Sequence, residues 1–295
     1  MKLAIFDIGG SAVKYGLWEQ HQLSQTSQFP TPTTFEEMKE QMKEVVDRFG
    51  VGVEGVAISA PGAVNVPERR IDGISAVPYI HKRPIFDELE EYLGLPVTIE
   101  NDANCAGIAE IQMGAGQDAV NAVFVVIGTG VGGAIFINRK LYKASHLFGG
   151  EFGLVKPKGD RTLSQAGTSV KAAQQYSQIT KKEVNGKELF DLKEAGDKTA
   201  ELVINELYDN IAAVLYNLQV SIDPDMVIIG GGISARPELP EELGSRLYKT
   251  LAEEEVEEIM PEIRNCQFHN DANLIGAASN FELYYQEMQE RNLRG

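Results

Sequence analysis

Short apolar runs that end in glycine recur at wide intervals along the chain. Residues 3–6, 122–127 and 226–229 are almost wholly apolar, which predicts three buried strands. Glycine-rich turns follow them at Asp7-Ile-Gly-Gly-Ser11, Gly128-Thr-Gly-Val-Gly-Gly133 and Gly230-Gly-Gly232. After the first two turns the chain continues as another apolar stretch, at residues 12–18 and 134–137. A strand, a glycine turn and an antiparallel strand are therefore predicted twice.

Amphipathic segments predict the helices. Residues 34–49 begin with a capping box, Thr34 with Glu37, and end before Gly50. Apolar positions at helical spacing give this segment one buried face, made of Phe35, Met38, Met42, Val45, Val46 and Phe49. Further helices are predicted at residues 84–93, from Ala103 onward, and at 198–220, 240–254 and 273–290, with strands at 55–59 and 97–100.

A break in the pattern divides the chain into two lobes. Glycine and aspartate near positions 116–120 separate the helix after Ala103 from the second glycine hairpin. We expect an N-terminal α/β lobe of residues 1–117 and a larger C-terminal α/β lobe of residues 118–295. A chain of 295 residues is long enough for two such lobes.

The glycine turns predict phosphate binding, because a backbone that turns on glycine presents N–H groups to an anion. Gly128, Gly130 and Gly133 satisfy the G-x-G-x-x-G spacing of dinucleotide-binding folds, but that motif requires a helix directly after the glycines. A strand-like stretch follows instead, which excludes a Rossmann fold. A P-loop is excluded as well, since the sequence contains no G-x-x-x-x-G-K-[ST].

The composition limits which kinds of molecule the protein is expected to bind. Hydrophobic residues make up 43% and charged residues 24%, as in ordinary globular proteins. A formal net charge of −16 argues against a nucleic-acid partner, because phosphate backbones require clustered Lys and Arg. Cys105 and Cys266 are the only cysteines and provide neither a metal site nor a disulfide framework. With no signal peptide and no apolar run of membrane length, we expect a cytoplasmic protein without a membrane partner.

The order and spacing of six motifs resemble the ROK family, named after repressors, open reading frames and kinases. These motifs are Asp7-Ile-Gly-Gly-Ser11 with Lys14 and Gly16, Ser59-Ala-Pro-Gly62, Glu100-Asn-Asp-Ala-Asn104, Ile127-Gly-Thr-Gly-Val-Gly-Gly133, Gly149-Gly-Glu-Phe-Gly153 and Asp223-Pro-Asp-Met-Val-Ile-Ile-Gly-Gly-Gly232. The similarity extends from about residue 2 to about residue 282 and is greatest to the bacterial branch that contains β-glucoside kinases.

The resemblance implies a fold and a set of ligands. The fold is the two-lobe α/β actin-like ATPase (ribonuclease H-like) fold, with nucleotide and sugar in the cleft between the lobes. The last helix is expected to pack back toward the first lobe, as in the family. ATP and Mg²⁺ are the expected cofactors. A homodimer is the expected assembly, since relatives are commonly dimers.

Asp102 is the candidate catalytic base. It lies between a predicted strand and a predicted helix, where α/β proteins place ligands, and a carboxylate there can accept the proton of an attacking hydroxyl. The alternative for an Asn-Asp pair before an Ala-rich segment is an ordinary helix N-cap. The sugar-binding candidates occupy positions at which the family binds its sugar, and they are Pro61, Gly62, Asn65, Asn101, Asp102 and Glu151.

The candidate ATP-binding residues are the glycine turns and their polar neighbours: Asp7, Gly9, Gly10, Ser11, Lys14, Gly128, Thr129, Gly130, Gly133, Gly231 and Gly232. Asp7 is expected to orient Mg²⁺ through water, because magnesium usually keeps several waters and takes one or two carboxylates. The alternatives are a turn aspartate at position 7, an outward-facing strand lysine at position 14, and glycines that serve only tight turns.

Two departures from the family pattern bear on the sugar. Leu154 stands where many relatives have a histidine, and residues 162–167 contain no cysteine, so we expect no zinc. The leading interpretation is ATP- and Mg²⁺-dependent phosphorylation of a sugar hydroxyl, the 6-OH of glucose or of a β-glucoside. The alternatives are a kinase for N-acetylmannosamine or fructose, a non-catalytic sugar-sensing ROK protein without a DNA-binding domain, and an actin- or chaperone-type ATPase.

Overall fold

The computed structural model describes residues 1–294, which form two compact units. The first unit consists of Met1–Gln112 together with the chain from Asn270 onward, and the second of Met113–His269. Each unit has its own five-stranded sheet and its own apolar core, so the prediction of an α/β protein is confirmed. No helix within residues 1–294 is both long enough and apolar enough to cross a membrane.

The chain up to residue 113 alternates between strands and helices. Its elements are β1 (Lys2–Ile8), β2 (Ala12–Glu19), β3 (Gln22–Pro30), α1 (Phe35–Phe49), β4 (Gly55–Ala60), β5 (Ala63–Asn65), β6 (Arg70–Asp72), α2 (Ile85–Leu93), β7 (Val97–Asn101) and α3 (Asp102–Met113). The sheet order is β3-β2-β1-β4-β7, with β2 antiparallel to β1 and with β1, β4 and β7 parallel. The carboxyl ends of these three parallel strands therefore meet at one edge, which positions the candidate residues of the first unit.

Helix α1 shows how the apolar pattern produces the core. All six positions of the predicted apolar face are buried, and Thr34 caps the helix by accepting a hydrogen bond from the Glu37 backbone N–H at 3.3 Å. In a capping box the Glu37 carboxylate would accept from the backbone N–H of Thr34, but its partner here is a different residue. The Glu37 carboxylate accepts from the backbone N–H and the hydroxyl of Thr33, one residue before the cap. These bonds hold the pKa of Glu37 below its usual value.

The second half of the chain begins with another glycine hairpin. The elements are β8 (Ala122–Ile127), β9 (Val131–Ile137), β10 (Lys140–Leu141), α4 (Leu163–Ala166), α5 (Ser169–Thr180), α6 (Gly186–Glu194), α7 (Lys198–Ile222), β11 (Met226–Gly230), α8 (Leu239–Glu253), β12 (Glu262–Asn265) and α9 (Ala272–Arg294). The sheet order is β10-β9-β8-β11-β12, with β9 antiparallel to β8 and with β8, β11 and β12 parallel. Both predicted hairpins of strand, glycine turn and antiparallel strand are thereby confirmed.

Helix α9 completes the first unit although it is the last element of the chain. Its Phe281 ring packs directly on Gly55 of β4, and its Gly276 lies against the backbone of Cys105 in α3. The indole N–H of Trp18 in β2 donates to Glu282 Oε1 at 3.0 Å. The sheet of the first unit is thus covered by a helix that lies far away in sequence.

Candidate active site

Asp7 lies at the end of β1 and is held in one orientation. Its side chain is 9% exposed, and its Oδ1 accepts hydrogen bonds from Ser59 Oγ at 2.7 Å and from Asn273 Nδ2 at 3.0 Å. Both donors use the same carboxylate oxygen, so Oδ2 is the oxygen left to interact with a ligand. Lys14 lies directly opposite Asp7 in the antiparallel pair of β1 and β2, which places both side chains on the same face of the sheet.

The turn between β1 and β2 is tight. The Gly9 N–H donates to Ala12 O at 3.0 Å, and the Thr31 hydroxyl donates to Gly9 O at 2.6 Å. The Ser11 backbone carbonyl accepts from the Thr31 N–H at 3.1 Å. The Ser11 hydroxyl takes no part in this bond, and the residue is exposed. Gly10, the other predicted phosphate contact of this turn, is exposed.

Asn101 and Asp102 stand where β7 ends and α3 begins. Asn101 Oδ1 accepts from the Asn104 N–H at 3.2 Å, so the N-cap of α3 is Asn101. Asp102 is the first residue of the helix, and its Oδ1 accepts from the Ala103 N–H at 2.8 Å. Because the N-terminal end of a helix carries partial positive charge, this position favours the ionised carboxylate. The N-cap and the candidate catalytic carboxylate therefore belong to two adjacent residues.

Asn101 also connects the helix to the turn at Gly62. Its Nδ2 donates to Gly62 O at 3.1 Å, and Gly62 has φ +108°. A Cβ at position 62 would lie 2.7 Å from His81 Cε1 and 2.8 Å from Ile71 Cγ2, so glycine is required there. His81 is itself held by a 2.7 Å hydrogen bond between Nε2 and the Ser75 hydroxyl. The turn is therefore fixed from several sides.

The remaining sugar candidates of the first unit lie next to Gly62. Pro61 precedes it, directly after β4, and Asn65 ends β5. Asn65 Oδ1 accepts from the Glu68 N–H at 3.2 Å and thereby closes the turn between β5 and β6. Across that hairpin, the hydrogen bond from Arg70 holds the pKa of Asp72 below its usual value. Asn65 thus has a clear role in shaping the hairpin that flanks Gly62.

Three carboxylates surround a buried thiol beneath this edge. Cys105 is fully buried, and that burial raises the pKa of its thiol, with further contributions from the negative charges of Glu100, Asp7 and Asp102. A thiol in this environment stays protonated and is a poor nucleophile. Cys105 is therefore a packing residue beside the candidate site.

In the second unit, the hairpin between β8 and β9 presents its tip to solvent. The Gly128 N–H donates to Gly130 O at 2.9 Å, and the Val131 N–H donates to Ser164 Oγ at 3.0 Å. Thr129 and Gly130 are exposed, and no backbone acceptor within residues 1–294 takes their N–H groups. These two amides are consequently the ones available to an anion.

Gly133 lies deeper in the same hairpin, on β9. A Cβ at position 133 would lie 2.7 Å from Phe152 Cε2, so the absence of a side chain lets the Phe152 ring pack against the hairpin. Close packing accounts for this glycine. Phe152 follows Glu151 in the chain, so this contact joins the hairpin to the loop that carries Glu151.

Glu151 projects from the loop after β10. It is exposed, and no residue in the described part of the chain forms a hydrogen bond or an ion pair with its carboxylate. Its backbone is fixed, because its N–H donates to Phe148 O at 3.3 Å and its carbonyl accepts from the Leu154 N–H at 3.1 Å. An exposed carboxylate on a fixed backbone can accept hydrogen bonds from two neighbouring hydroxyls.

The third glycine turn borders a cavity of about 630 Å³. Gly231 has φ +83°, and its carbonyl accepts from the Ser234 hydroxyl at 2.7 Å. Gly232 lies on the cavity wall together with Ser169, Lys187, Phe190, Arg236 and Glu238. The Arg236 guanidinium stacks 3.4 Å above the centre of the Phe190 ring, which gives the wall a flat cationic surface. A cavity of this volume accommodates a nucleoside.

The predicted site residues up to Asp102 lie in the first unit, and those from Gly128 to Gly232 lie in the second. Sequence reasoning assigned no role to Ser59, Asn273 or Ser164, the residues that orient Asp7 and the Gly128 hairpin. Ser59 belongs to a motif at the end of a strand and could have been found there. Asn273 and Ser164 have no local signal, since each acts on residues distant in sequence.

Comparison with known proteins identifies the family. The ROK family model matches residues 3–282, and the chain belongs to the ROK family. A beta-glucoside kinase from Listeria innocua is 36% identical, with 99% of each chain covered. A ROK family protein from Streptococcus pneumoniae, solved in complex with sucrose, has a TM-score of 0.89 and 32% identity, covering 97% of this chain and 100% of its own.

A third relative bears on the ligands. A ROK family glucokinase from Streptomyces griseus, solved in complex with glucose and AMPPNP, has a TM-score of 0.76 and 26% identity, covering 94% of this chain and 98% of its own. These likenesses confirm the predicted actin-like ATPase fold of two α/β lobes.

Proposed function

We propose that the protein transfers the γ-phosphoryl group of ATP to a sugar hydroxyl, the 6-OH of glucose or of a β-glucoside. It is a phosphotransferase of the ROK sugar kinase type. The observation that carries the proposal is Asp102, which is held at the first position of α3 with one carboxylate oxygen bonded to the Ala103 N–H.

Asp102 accepts the proton of the attacking hydroxyl. The hydroxyl oxygen forms a bond to the γ-phosphorus while the bond from that phosphorus to the β–γ bridging oxygen breaks, so that ADP leaves. The proton passes to Asp102 as the new bond forms, and afterwards to solvent. The partial positive charge at the start of α3 keeps the carboxylate ionised and ready to accept.

The residues that hold ATP come from the glycine turns. The amides of Thr129 and Gly130 bind phosphate oxygens, and Ser11 and Lys14 contact the terminal phosphates. Gly232, which follows Gly231 in the third glycine turn, borders the cavity of about 630 Å³, and this cavity receives the nucleoside. In a chain with a net charge of −16, these backbone dipoles attract phosphate where the overall charge would repel it.

The site suits Mg²⁺ held through water. No group of three or more His, Cys, Asp or Glu within residues 1–294 is arranged as a metal site, whereas Asp7 offers one oriented carboxylate oxygen. Magnesium commonly binds through one or two carboxylates, substrate phosphates and retained waters, which matches this arrangement. When bound, Mg²⁺ neutralises charge on the phosphates. Asp7 serves to orient its waters.

Recognition of the sugar rests on Glu151 and on the turn at Gly62. Glu151 accepts hydrogen bonds from two hydroxyls, and Asn101 keeps the Gly62 turn against α3. Two relatives support a glucose-type substrate, since one is named a beta-glucoside kinase and another was solved with glucose. A sugar substituted at the anomeric carbon agrees with the relative that was solved with sucrose.

The test is sugar-dependent release of ADP from Mg-ATP with glucose, cellobiose, methyl β-glucoside, N-acetylmannosamine and fructose. We expect turnover with glucose or a β-glucoside, and a fall in kcat of roughly 100-fold or more in Asp102→Asn. Asp47→Asn, a matched change at an exposed position of α1, should leave kcat unaltered. Full turnover by Asp102→Asn would contradict the role of Asp102, and no turnover with any sugar would contradict the proposed activity.

A further inference from the structure

Two large apolar side chains stand in solvent on either side of Glu151. Phe148 and Leu154 are each 60% exposed, whereas Phe152 between them is buried against Gly133. Exposed large apolar residues are common one at a time, but a pair that flanks a candidate substrate-binding carboxylate needs an explanation. Tyr142, whose carbonyl lies against Gly149, adds a third exposed large side chain to this part of the chain.

The backbone of Phe148 and that of Leu154 are both hydrogen-bonded to the backbone of Glu151. Phe148 accepts the Glu151 N–H at 3.3 Å, and Leu154 donates its own N–H to Glu151 O at 3.1 Å. The loop is tied down further by the Gly149 N–H, which donates to Lys143 O at 3.2 Å. The backbone positions from which Phe148 and Leu154 project are therefore fixed with respect to the backbone of Glu151.

Neither side chain can bind a hydroxyl, because both lack polar atoms. An unsubstituted sugar, whose edges are hydroxyls, gains little from them. A neutral substituent on the sugar ring, either an apolar group or the C–H face of a second pyranose, would lose its contact with water by packing on them.

We propose that Phe148 and Leu154 form the subsite for the aglycone of a β-glucoside, and that they select substituted glucosides over free glucose. The inference rests on the proposed function, in which Glu151 holds the glucose hydroxyls. The ligand class is a neutral β-glucoside whose aglycone is aromatic, alkyl or a second pyranose. Phe148 and Leu154 are thus specificity residues for the acceptor.

The experiment measures kcat/KM with saturating Mg-ATP for phenyl β-glucoside, cellobiose, methyl β-glucoside and glucose. The variants come in matched pairs: Leu154→Gln with Leu154→Met, and Phe148→Ala with Phe148→Tyr. We expect Leu154→Gln and Phe148→Ala to lower kcat/KM for phenyl β-glucoside by about tenfold, or about 1.4 kcal/mol. Their kcat/KM for glucose should stay within about twofold of the wild-type value, since glucose does not reach the subsite.

The conservative variants and a remote control separate this role from a structural one. Leu154→Met and Phe148→Tyr retain an apolar surface and should retain the preference for phenyl β-glucoside. Leu202→Gln makes the same chemical change on α7, where Leu202 is 66% exposed. It should change kcat/KM for neither glucose nor phenyl β-glucoside. Because all three positions are exposed, melting temperatures should be unchanged.

Four results would overturn the inference. Equal losses with glucose and with phenyl β-glucoside would show that the pair acts on the loop and not on the aglycone. An unchanged preference, together with a change in oligomeric state of Leu154→Gln in light scattering, would assign the pair to contact with a second copy. Failure of the wild-type protein to phosphorylate any of the four sugars would remove the proposed function itself, whereas turnover of glucose without preference removes only the subsite.

Discussion

The side chain of Asn101 uses both of its polar groups inside the first unit. Its Oδ1 caps α3 at Asn104, and its Nδ2 holds Gly62 O. The start of the helix that carries Asp102 and the turn at Gly62 are therefore coupled through one amide. A site built in this way is set before a substrate arrives, which favours catalysis because no reorganisation is needed on binding.

Replacement of Gly62 tests this rigidity. Gly62→Ala would place a methyl group 2.7 Å from His81 Cε1 at φ +108°, so the turn must shift and the hydrogen bond from Asn101 to Gly62 O is disturbed. We expect a loss of stability of about 1–3 kcal/mol and a raised KM for the sugar. Urea unfolding and initial rates measure the two effects. Gly73→Ala is the matched control, because Gly73 also has positive φ (+90°) but a Cβ there would lie 3.9 Å from Ala63 N, an ordinary contact distance.

The control separates backbone strain from steric contact. Gly73→Ala should show only the cost of the left-handed conformation and no change in KM. Equal KM values for Gly62→Ala and the wild-type protein would show that the sugar does not depend on this turn.

At the scale of single residues, sequence reasoning found the groups but not what holds them. Asp7 and Asp102 were predictable because each stands at the end of an apolar strand within a local motif. The assignment of the N-cap to Asn101 depends on where the first helical turn begins, and helix boundaries are weakly encoded. Ser59 and Asn273 are 52 and 266 residues from Asp7, and only the fold brings them together. The roles of the site residues themselves stay predictions.

At the scale of elements, periodic patterns predicted what they directly encode. The apolar face of α1 and both glycine hairpins are confirmed, because burial selects the positions that make them. The Glu37 carboxylate bonds Thr33 and not the predicted Thr34. Side-chain bonds at a helix start depend on the backbone conformation of the residues before the helix, which the apolar pattern does not encode.

The cap of α7 predicts a pH effect. Asp197 Oδ1 accepts from the N–H groups of Ala200 and Thr199, and its Oδ2 accepts from the Tyr176 hydroxyl. These bonds, that of Ala200 foremost, lower the pKa of Asp197 below the 3.8 of an unperturbed aspartate. The stabilisation is therefore complete above pH 3.8 and is lost as the pH falls through the lower pKa of the folded state.

Asp197→Asn keeps a capping oxygen but removes the charge. We expect the variant to be less stable than the wild-type protein at pH 7, and the difference to shrink when both are unfolded in urea at about pH 3. Leu202→Gln, an exposed change on the same helix that involves no titratable group, should give the same difference from wild type at both pH values. A gap for Asp197→Asn that widens on acidification would contradict the assignment.

At the scale of the whole molecule, the two units have separate apolar cores, and only the first unit contains a tryptophan whose fluorescence can report its unfolding. The single tryptophan, Trp18, is buried in the first unit and donates its indole N–H to Glu282 of α9. Its fluorescence therefore follows the first unit alone, whereas far-UV circular dichroism follows both. Separate cores make it physically reasonable for the units to unfold in separate steps.

Phe281→Ala should destabilise the first unit selectively and so separate the fluorescence transition from the dichroism transition. Phe281 is 1% exposed and packs on Gly55, so its removal should cost the first unit about 3–5 kcal/mol. In urea, the fluorescence transition should move to lower concentration while part of the dichroism transition stays in place, because the second unit does not contain the substitution. Tyr284→Ala removes an aromatic ring that is 40% exposed on the same helix and should shift the fluorescence midpoint far less.

The same experiment connects stability to function. Asn273, which orients Asp7, lies on the helix that Phe281 anchors, so loss of α9 packing should impair catalysis before the second unit unfolds. Kinase activity of Phe281→Ala is accordingly expected to fall together with the fluorescence signal as urea is raised. On the proposed assignment, ATP contacts the glycine turns of the second unit, so it should still shift the remaining dichroism transition. Coincident fluorescence and dichroism curves in Phe281→Ala would instead mean that the two units unfold as one cooperative structure.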